Sequence, residues 1–283
     1  MKKGIFSSLL CLSMFAQGQV QTPKASPIGK VEQRVGLTDI SVTYSRPAVN
    51  HRTIFGDLLP YGALWRLGAN ENTKITNSDM LIIGKDTLDP GTYAMFAKPG
   101  KKSWELFFYT ESTNWGLPEK WEESKIALRY VAKVENLSSV QENLSISIEN
   151  LSFNKGTIEI AWEKTKVCIP FSLNTKEKVL ASIDKALASS TVSANDYYQA
   201  ASYYFSEKME LTKALSWSEK AVELKGASAY WMTRLKAQLQ AANGDFKGAI
   251  ETAKISIEAA EKDGDSNYVR MNQASIEEWS KKK

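Results

Sequence analysis

The sequence predicts an α+β multidomain protein, in which an N-terminal antiparallel β-sandwich or barrel-like domain is followed by an all-α domain of helical repeats. Three observations favour this class. Residues 24–173 are rich in Val, Ile, Thr, Trp and Gly, whereas the later residues are rich in Ala, Lys, Glu and Leu. Short early segments alternate apolar and polar residues, while later apolar residues recur at helical spacing. We therefore divide the 283 residues into a leader at 1–18, a β-rich domain at 19–173 and a helical domain at 174–283.

The leader has the three parts of a secretory signal peptide. Met1-Lys2-Lys3 is basic, residues 5–15 are apolar, and Ala16-Gln17-Gly18 matches a small-x-small cleavage site. The apolar run is too short to span a bilayer, and no later stretch approaches the roughly 20 apolar residues that spanning requires. We therefore expect an exported protein, periplasmic or secreted, with no transmembrane segment.

Cysteine and charge narrow the possible functions. Cleavage of the leader would remove Cys11 and leave Cys168 as the remaining thiol, so no disulfide can form within the mature chain. The net charge of +4 includes Lys2 and Lys3 of the leader, and the other lysines are interspersed with glutamates or lie at the terminus. Because no basic stripe follows the chain, we expect no nucleic-acid partner.

The β-rich domain contains seven segments that resemble strands and are bounded by Gly, Pro, Asn or Asp. They are 40–44, 91–96, 104–108, 126–134, 145–149, 157–162 and 167–171. Their close spacing without intervening helices favours an antiparallel sandwich or barrel. Three copies of Glu-Asn-Leu-Ser begin at residues 135, 142 and 149. Each is formally an N-glycosylation acceptor, but we interpret them as two strand ends and a connection.

The helical domain carries a weak internal repeat. Val179, Ile183 and Leu187 fall on one helical face, and the segments 210–215 and 245–250 match in character 35 residues apart. Each is preceded by an aromatic-bearing helix. This period resembles that of tetratricopeptide repeats. A surface of that kind usually binds a peptide or protein partner, although it could instead only cap the β domain.

The stretch from Tyr44 to Ile75 is the candidate site, because charged, amide and aromatic residues alternate with glycines there. Six residues are candidates for binding a polar or anionic small ligand: Arg46, Arg52, Asp57, Arg66, Asn70 and Glu71. A guanidinium can hold a carboxylate or phosphate through two parallel hydrogen bonds. The structural alternative is that the arginines satisfy backbone carbonyls and neighbouring acids.

Catalysis would have to rely on Asp57 and Glu71 as general acid and base, since such carboxylates work in pairs. They could equally cap turns or pair with the arginines. His51 is the single histidine, so it cannot build a common zinc site, and no Gly-x-Ser-x-Gly accompanies it. We therefore predict no metal and no cofactor. Of the tryptophans, Trp115 and Trp121 lie in a polar segment and are the better candidates for exposure at a rim.

Several motifs resemble one family. They are Tyr44-Ser45-Arg46-Pro47, Arg52-Thr53-Ile54-Phe55-Gly56, Pro60-Tyr61-Gly62, Trp65-Arg66-x-Gly68-Ala69-Asn70-Glu71-x-Thr73 and Gly91-Thr92-Tyr93. Together they resemble the family catalogued as domain of unknown function 2911, over about residues 26–173. The resemblance implies an exported bacterial protein, sometimes with a helical tail, and implies no activity. Where relatives tend to have Lys-Gly-Arg, this chain has Asn50-His51-Arg52, which argues against an essential role for His51.

Three hypotheses follow. The leading one is a non-enzymatic exported module whose β domain binds a polar ligand through Arg46, Arg66, Asn70 and Glu71, with the helical repeats engaging a protein. The alternative is a hydrolase-like enzyme that uses Asp57 and Glu71, with Arg66 steadying an anionic substrate. In the third, the polar stretch is purely structural and forms a buried network.

Overall fold

The computed structural model describes residues 22–282, so the predicted signal peptide at 1–18 lies outside the described residues. The chain divides into two compact units, Met1–Thr175 and Lys176–Lys283. The first unit is β-rich and the second is helical, as the change in composition predicts. No helix within residues 22–282 is long and apolar enough to cross a membrane.

The first unit is a nine-stranded sheet within the described residues, and all its strand pairs are antiparallel. The strands are β1 (Ile28–Val35), β2 (Thr38–Ser45), β3 (Thr73–Asn77), β4 (Leu81–Ile83), β5 (Asp86–Leu88), β6 (Gly91–Lys98), β7 (Ser103–Tyr109), β8 (Ile126–Glu149) and β9 (Lys155–Ser172). Their order across the sheet is β1-β2-β3-β6-β7-β8-β9-β4-β5. The antiparallel β-rich domain predicted from the sequence is thus confirmed.

Strands β8 and β9 differ from the sequence-based prediction. The segments 126–134 and 145–149 belong to one strand of 24 residues, and 157–162 and 167–171 belong to one strand of 18 residues. The pairing of β8 with β9 shifts register between Asn136 and Gln141 and again between Gln141 and Ser145. Extra residues on one strand bend it and increase its twist. Opposite them, Glu163 adopts a left-handed backbone with φ of 56°.

This bend corrects the interpretation of the Glu-Asn-Leu-Ser copies. The copies that begin at residues 135 and 142 lie within β8, and the third crosses from the end of β8 into the following turn. The bulge interrupts the alternation of apolar and polar residues, and Asn is common in turns, so the sequence pattern of β8 looked like two strands with a connection.

The bent part of β8 bonds to the end of β2 and to the residues that follow it. The Tyr44 hydroxyl accepts a hydrogen bond from the Ile146 N–H at 2.9 Å and donates to the Ile146 carbonyl at 3.2 Å. The Leu144 N–H donates to the Pro47 carbonyl at 3.0 Å. These bonds curl the sheet, because they join β8 to β2 and the residues after it beyond residue 133, where β8 no longer pairs with β7.

The core inside the curled sheet contains a cluster of four aromatic rings. Trp65 stacks on Trp162 with centroids 5.8 Å apart, and Trp104 contacts Trp65 edge-on at 5.8 Å. Phe55 contacts all three tryptophans. All four side chains are buried, so the rings anchor the loop between β2 and β3 to the sheet.

The second unit consists of six helices within the described residues. They are α1 (Thr175–Leu187), α2 (Ala194–Ser206), α3 (Leu211–Lys225), α4 (Tyr230–Ala242), α5 (Phe246–Asp263) and α6 (Ser266–Trp279). The two segments matched in sequence occupy equivalent places, because Glu210 and Asp245 are the N-cap residues of α3 and α5. Small buried residues such as Ala214 and Ala249 allow close helix packing. The tetratricopeptide resemblance of this unit stays a prediction.

We predict that Tyr44→Phe lowers the free energy of unfolding by about 1–3 kcal/mol, because it leaves a buried backbone N–H of Ile146 without a partner. The measurement is urea unfolding of both proteins. Tyr61→Phe is the matched control, since the Tyr61 ring is 43% exposed. Equal losses in the two variants would contradict the role of the Tyr44 hydroxyl in closing the sheet.

Candidate ligand-binding site

The site begins at Trp65, which the fold holds in three ways. Its backbone pairs with Ala97 of β6, since the Trp65 N–H donates to the Ala97 carbonyl at 2.7 Å and the Ala97 N–H donates back at 2.9 Å. Its indole N–H donates to the Gly68 carbonyl at 3.0 Å. Its ring belongs to the aromatic cluster. The chain must therefore fold back on itself within three residues.

Residues 66–73 make that turn by an unusual backbone path. Leu67 and Asn70 both have left-handed backbones, with φ of 52° and 57°. A left-handed conformation is unfavourable for a leucine, but the Leu67 side chain is fully buried and the Thr73 hydroxyl donates to its carbonyl at 2.6 Å. A side chain at Gly68 would come within 3.1 Å of the Ser45 carbonyl oxygen. These contacts favour a single backbone conformation of residues 66–73.

Two side chains of this motif reach the segment that carries Trp115. We call residues 110–122, between β7 and a short 3-10 turn, the Trp115 loop. The buried Asn72 amide, oriented to pair donors with acceptors, donates to the Gly116 carbonyl at 2.9 Å and to the Asn114 carbonyl. The Arg66 guanidinium lies against Gly116, where an added Cβ would stand 2.8 Å from Nη1. The motif therefore fixes the middle of the loop.

The far end of the loop is fixed by Trp121. Its ring stacks on Tyr109 with centroids 4.7 Å apart and contacts Phe96 and Phe107 edge-on. It covers the outer face of β6 and β7, so these strands are buried on both faces. Trp121 is therefore half-buried and does not lie exposed at a rim as expected, whereas Trp115 is 66% exposed.

A surface groove of about 400 Å³ runs beside Trp115. Its floor and walls combine an aromatic ring, two other apolar side chains, an amide and charges of both signs. The lining residues are Glu111, Asn114, Trp115, Leu117, Pro118, Glu119, Lys120, Glu122 and Lys125. Lys24 also approaches the Trp115 ring, with Nζ 5.8 Å from the ring centroid.

One end of the groove holds a small ion-pair network. Lys125 Nζ lies 2.7 Å from Glu111 Oε2 and 3.0 Å from Glu122 Oε1. The hydrogen bond to Glu111 raises the pKa of Lys125 above its usual range, and the same bond lowers the pKa of Glu111. Lys125 and Glu111 therefore place paired charges of both signs at this end of the groove.

The arginines predicted for ligand binding make hydrogen bonds to backbone carbonyls. Arg46 Nε donates to Leu144 at 3.0 Å, and Arg66 Nη1 donates to Asn70 at 2.8 Å. Arg52 donates through Nη2 and Nε to the carbonyls of residues 48 and 49. These contacts match the structural alternative, in which arginines satisfy the carbonyls of irregular backbone.

The structure brings together Arg66 and Asn70, whereas the two candidate carboxylates lie apart from them on exposed positions. Asp57 is exposed in a tight turn where the Gly56 N–H donates to the Leu59 carbonyl at 2.8 Å. Glu71 is exposed beside a cleft of about 30 Å³. Within residues 22–282, neither carboxylate forms an ion pair with a candidate arginine. Ligand binding by these six residues stays a prediction.

The described part of the chain contains no group of three or more His, Cys, Asp or Glu side chains that could hold a metal ion. His51 is exposed on the loop that follows β2, with φ of 58°. The six residues predicted from the sequence do not include Asn72 or the Trp115 loop, which also belong to the site. The available signal was the Trp-Arg-x-Gly-Ala-Asn motif itself, which extends to Asn72 and Thr73.

The chain thus combines a bulged antiparallel β domain that carries the Trp115 loop with a unit of helices. The chain belongs to the family described as protein of unknown function DUF2911, whose model matches residues 26–171, just over half of the 283 residues. No curated protein and no solved structure matches the chain.

We predict that Asn72→Ala lowers the free energy of unfolding by about 1–3 kcal/mol, because the carbonyls of the Trp115 loop lose a buried donor. Hydrogen exchange of residues 113–117 should quicken as well. Glu71→Ala is the control, because Glu71 is the exposed neighbour of Asn72. If both variants unfold and exchange like the parent protein, Asn72 does not hold the loop.

Proposed function

We propose that this protein is an exported, non-enzymatic binding module. The groove beside Trp115 binds a polar ligand, and the helical unit engages a protein or peptide partner. The observation that carries the first part is that Trp115 is 66% exposed on a loop held at both its middle and its end. A large apolar ring that is exposed and positioned in this way favours ligand contact.

The fixed loop has an energetic advantage for binding. A mobile loop loses conformational freedom when a ligand orders it, and that loss weakens affinity. Asn72, Arg66 and Trp121 restrict the loop before any ligand arrives. Trp115 itself has only two side-chain torsions to fix, so little entropy is lost when a ligand covers it.

The groove fits a carbohydrate best among polar ligands. A sugar ring presents a face of C–H groups that packs on an indole, and an edge of hydroxyls that needs hydrogen-bond donors and acceptors. Trp115 offers the packing face. Glu119 and Lys120, both exposed, offer an acceptor and a donor on the lining of the same groove.

Export is supported by the leader, with its basic start, apolar run and small-x-small site. We expect cleavage after residue 18. Fractionation of expressing bacteria, followed by N-terminal mass spectrometry, should find a chain that begins near residue 19 outside the cytoplasm. Full-length protein with Met1 retained in the cytoplasm would refute export.

A hydrolase-like activity of Asp57, Glu71 and Arg66 gains no supporting contact among the described residues. Both carboxylates are exposed, whereas a general acid usually needs an environment that shifts its pKa. Arg66 donates to the Asn70 carbonyl in the same motif. The binding proposal requires only side chains that already line the groove beside Trp115.

We predict that Trp115→Ala weakens binding of carbohydrate by at least about 10-fold, as expected when an aromatic hot spot is removed. Labelled protein would be screened on an array of mono- and oligosaccharides, and each hit measured by calorimetry. Tyr61→Ala is the matched control, since it removes another exposed aromatic ring that a lysine covers, 5.6 Å from Lys101 Nζ. An array without hits, or a Trp115→Ala variant with parental affinity, would refute the proposed site.

A further inference from the structure

One face of α4 is partly exposed, although the helix contacts four others in the helical unit. Helix α4 contacts α2, α3, α5 and α6. Trp231, Arg234 and Gln238 are partly exposed and lie three and four residues apart, which places them on one face. This face is flanked by α2 and α6, because Trp231 shares an apolar cluster with Tyr197 and Tyr198 of α2 and Arg234 bonds to α6.

Neutral groups hold the Arg234 side chain in position. Its Nη1 donates to Asn272 Oδ1 at 2.8 Å and to Ser275 Oγ at 3.4 Å. Asn272 is fully buried, and its Nδ2 donates to Ser256 Oγ at 2.9 Å. The Ser256 hydroxyl donates in turn to the Tyr230 carbonyl at 2.7 Å. This chain of bonds orients the Asn272 oxygen toward Arg234.

The charge of Arg234 has no acidic partner. Within residues 22–282, no carboxylate lies within ion-pair distance of its guanidinium, whereas Lys236 two residues further pairs with Glu219 at 3.9 Å. Burial lowers the pKa of Arg234, and the Tyr268 hydroxyl partly opposes this effect. A half-buried cation without a counter-charge is unfavourable unless something else compensates it.

Two tyrosines lie near this part of α4. Tyr268 of α6 packs edge-on against Tyr230, with centroids 4.9 Å apart. Tyr268 precedes Asn272 by four residues on α6, as Tyr230 precedes Arg234 on α4, so Tyr268 lies one helical turn from the contact between Arg234 and Asn272. Tyr198 of α2 packs on the same apolar cluster as Trp231, which precedes Arg234 by about one turn. Within the described part of the chain, the hydroxyls of Tyr198 and Tyr268 have no hydrogen-bond partner, so both can donate to an anion.

We infer that Arg234, Tyr198 and Tyr268 form a binding subsite for the carboxylate of an acidic side chain in an extended peptide. The inference rests on the helical half of the proposed function and is independent of the Trp115 groove. One guanidinium with neutral donors around it matches the single negative charge of a carboxylate. A phosphate of nearly two negative charges would call for a second cation.

The length of the open face fits a peptide. Trp231 and Gln238 are seven residues apart, or about 10 Å at 1.5 Å per helical residue. An extended chain covers that distance with about three residues at roughly 3.3 Å each. Trp231 would pack on an apolar neighbour of the acidic residue, and the Gln238 amide would bond the peptide backbone.

The test uses the full chain, immobilised, and three pools of nine-residue peptides with random flanks. The first pool has a central Glu and an amidated C-terminus, the second replaces this Glu by Gln, and the third is the Gln pool with a free C-terminal carboxylate. Mass spectrometry quantifies the retained peptides. We expect about 10-fold or greater enrichment of the Glu pool over the Gln pool, the effect of one charge-assisted pair.

Variants connect the enrichment to the site. Arg234→Met should abolish it, while Lys236→Met, which removes a charge from the same helix, should preserve it. Because Arg234→Met also removes a partner of the buried Asn272, Tyr268→Phe is the second variant. It deletes a hydroxyl that the fold does not use, so we expect an unchanged unfolding midpoint and a several-fold loss of Glu enrichment.

Each of the other outcomes would overturn a particular part of the inference. Equal retention of the Glu and Gln pools would overturn the carboxylate subsite and still support peptide binding by the helical unit. Retention of no pool would overturn both. Preference for the free C-terminal carboxylate over the central Glu would overturn the assignment to an acidic side chain. Equal losses in Arg234→Met and Lys236→Met would show that the enrichment reflects net charge alone.

Discussion

The position of Trp65 is the constraint on which the rest of the β domain depends. A buried indole needs a partner for its N–H, because an unpaired donor in the core costs about 1–3 kcal/mol. The Gly68 carbonyl provides this partner only if the chain reverses within three residues. That reversal accounts for the left-handed backbone at Leu67 and for the close approach of Gly68 to Ser45. It also aims Arg66 and Asn72 at the Trp115 loop, so one core contact positions the candidate binding surface.

The bend in β8 explains a second group of polar residues. Beyond residue 133 β8 no longer pairs with β7, so its backbone between residues 142 and 146 needs other partners on that edge. Tyr44, Arg46 and the backbone of residues 47–49 provide them, and the Trp162 indole donates to the Glu142 carbonyl at 3.2 Å. Residues that resemble a ligand site in the sequence thus complete the hydrogen bonds of an irregular strand.

Individual cations of this protein are compensated in different ways. In the β unit, Lys125 and Lys166 each contact two carboxylates, and the candidate arginines donate to carbonyls. In the helical unit, Arg234 is held by an amide and a hydroxyl alone. Neutral partners fix its geometry and leave its charge available. Arg46, Arg52 and Arg66 bond the carbonyls of irregular backbone, whereas Arg234 bonds side chains of a neighbouring regular helix.

The sequence by itself determined the two-part architecture, the family and most strand positions, because composition and short-range periodicity reflect local burial. The sequence also located the motif at 65–73 and correctly predicted that Trp115 is exposed. It could not show that 126–149 is one strand, since a bulge breaks the alternation on which a strand prediction relies. Only the tertiary structure decided which polar residues face one another. Asn72 meets Gly116, Arg46 meets Leu144 and Arg234 meets Asn272 across 38 to 98 residues of chain. Such pairings depend on how strands and helices pack in space, and no local pattern of residues encodes them.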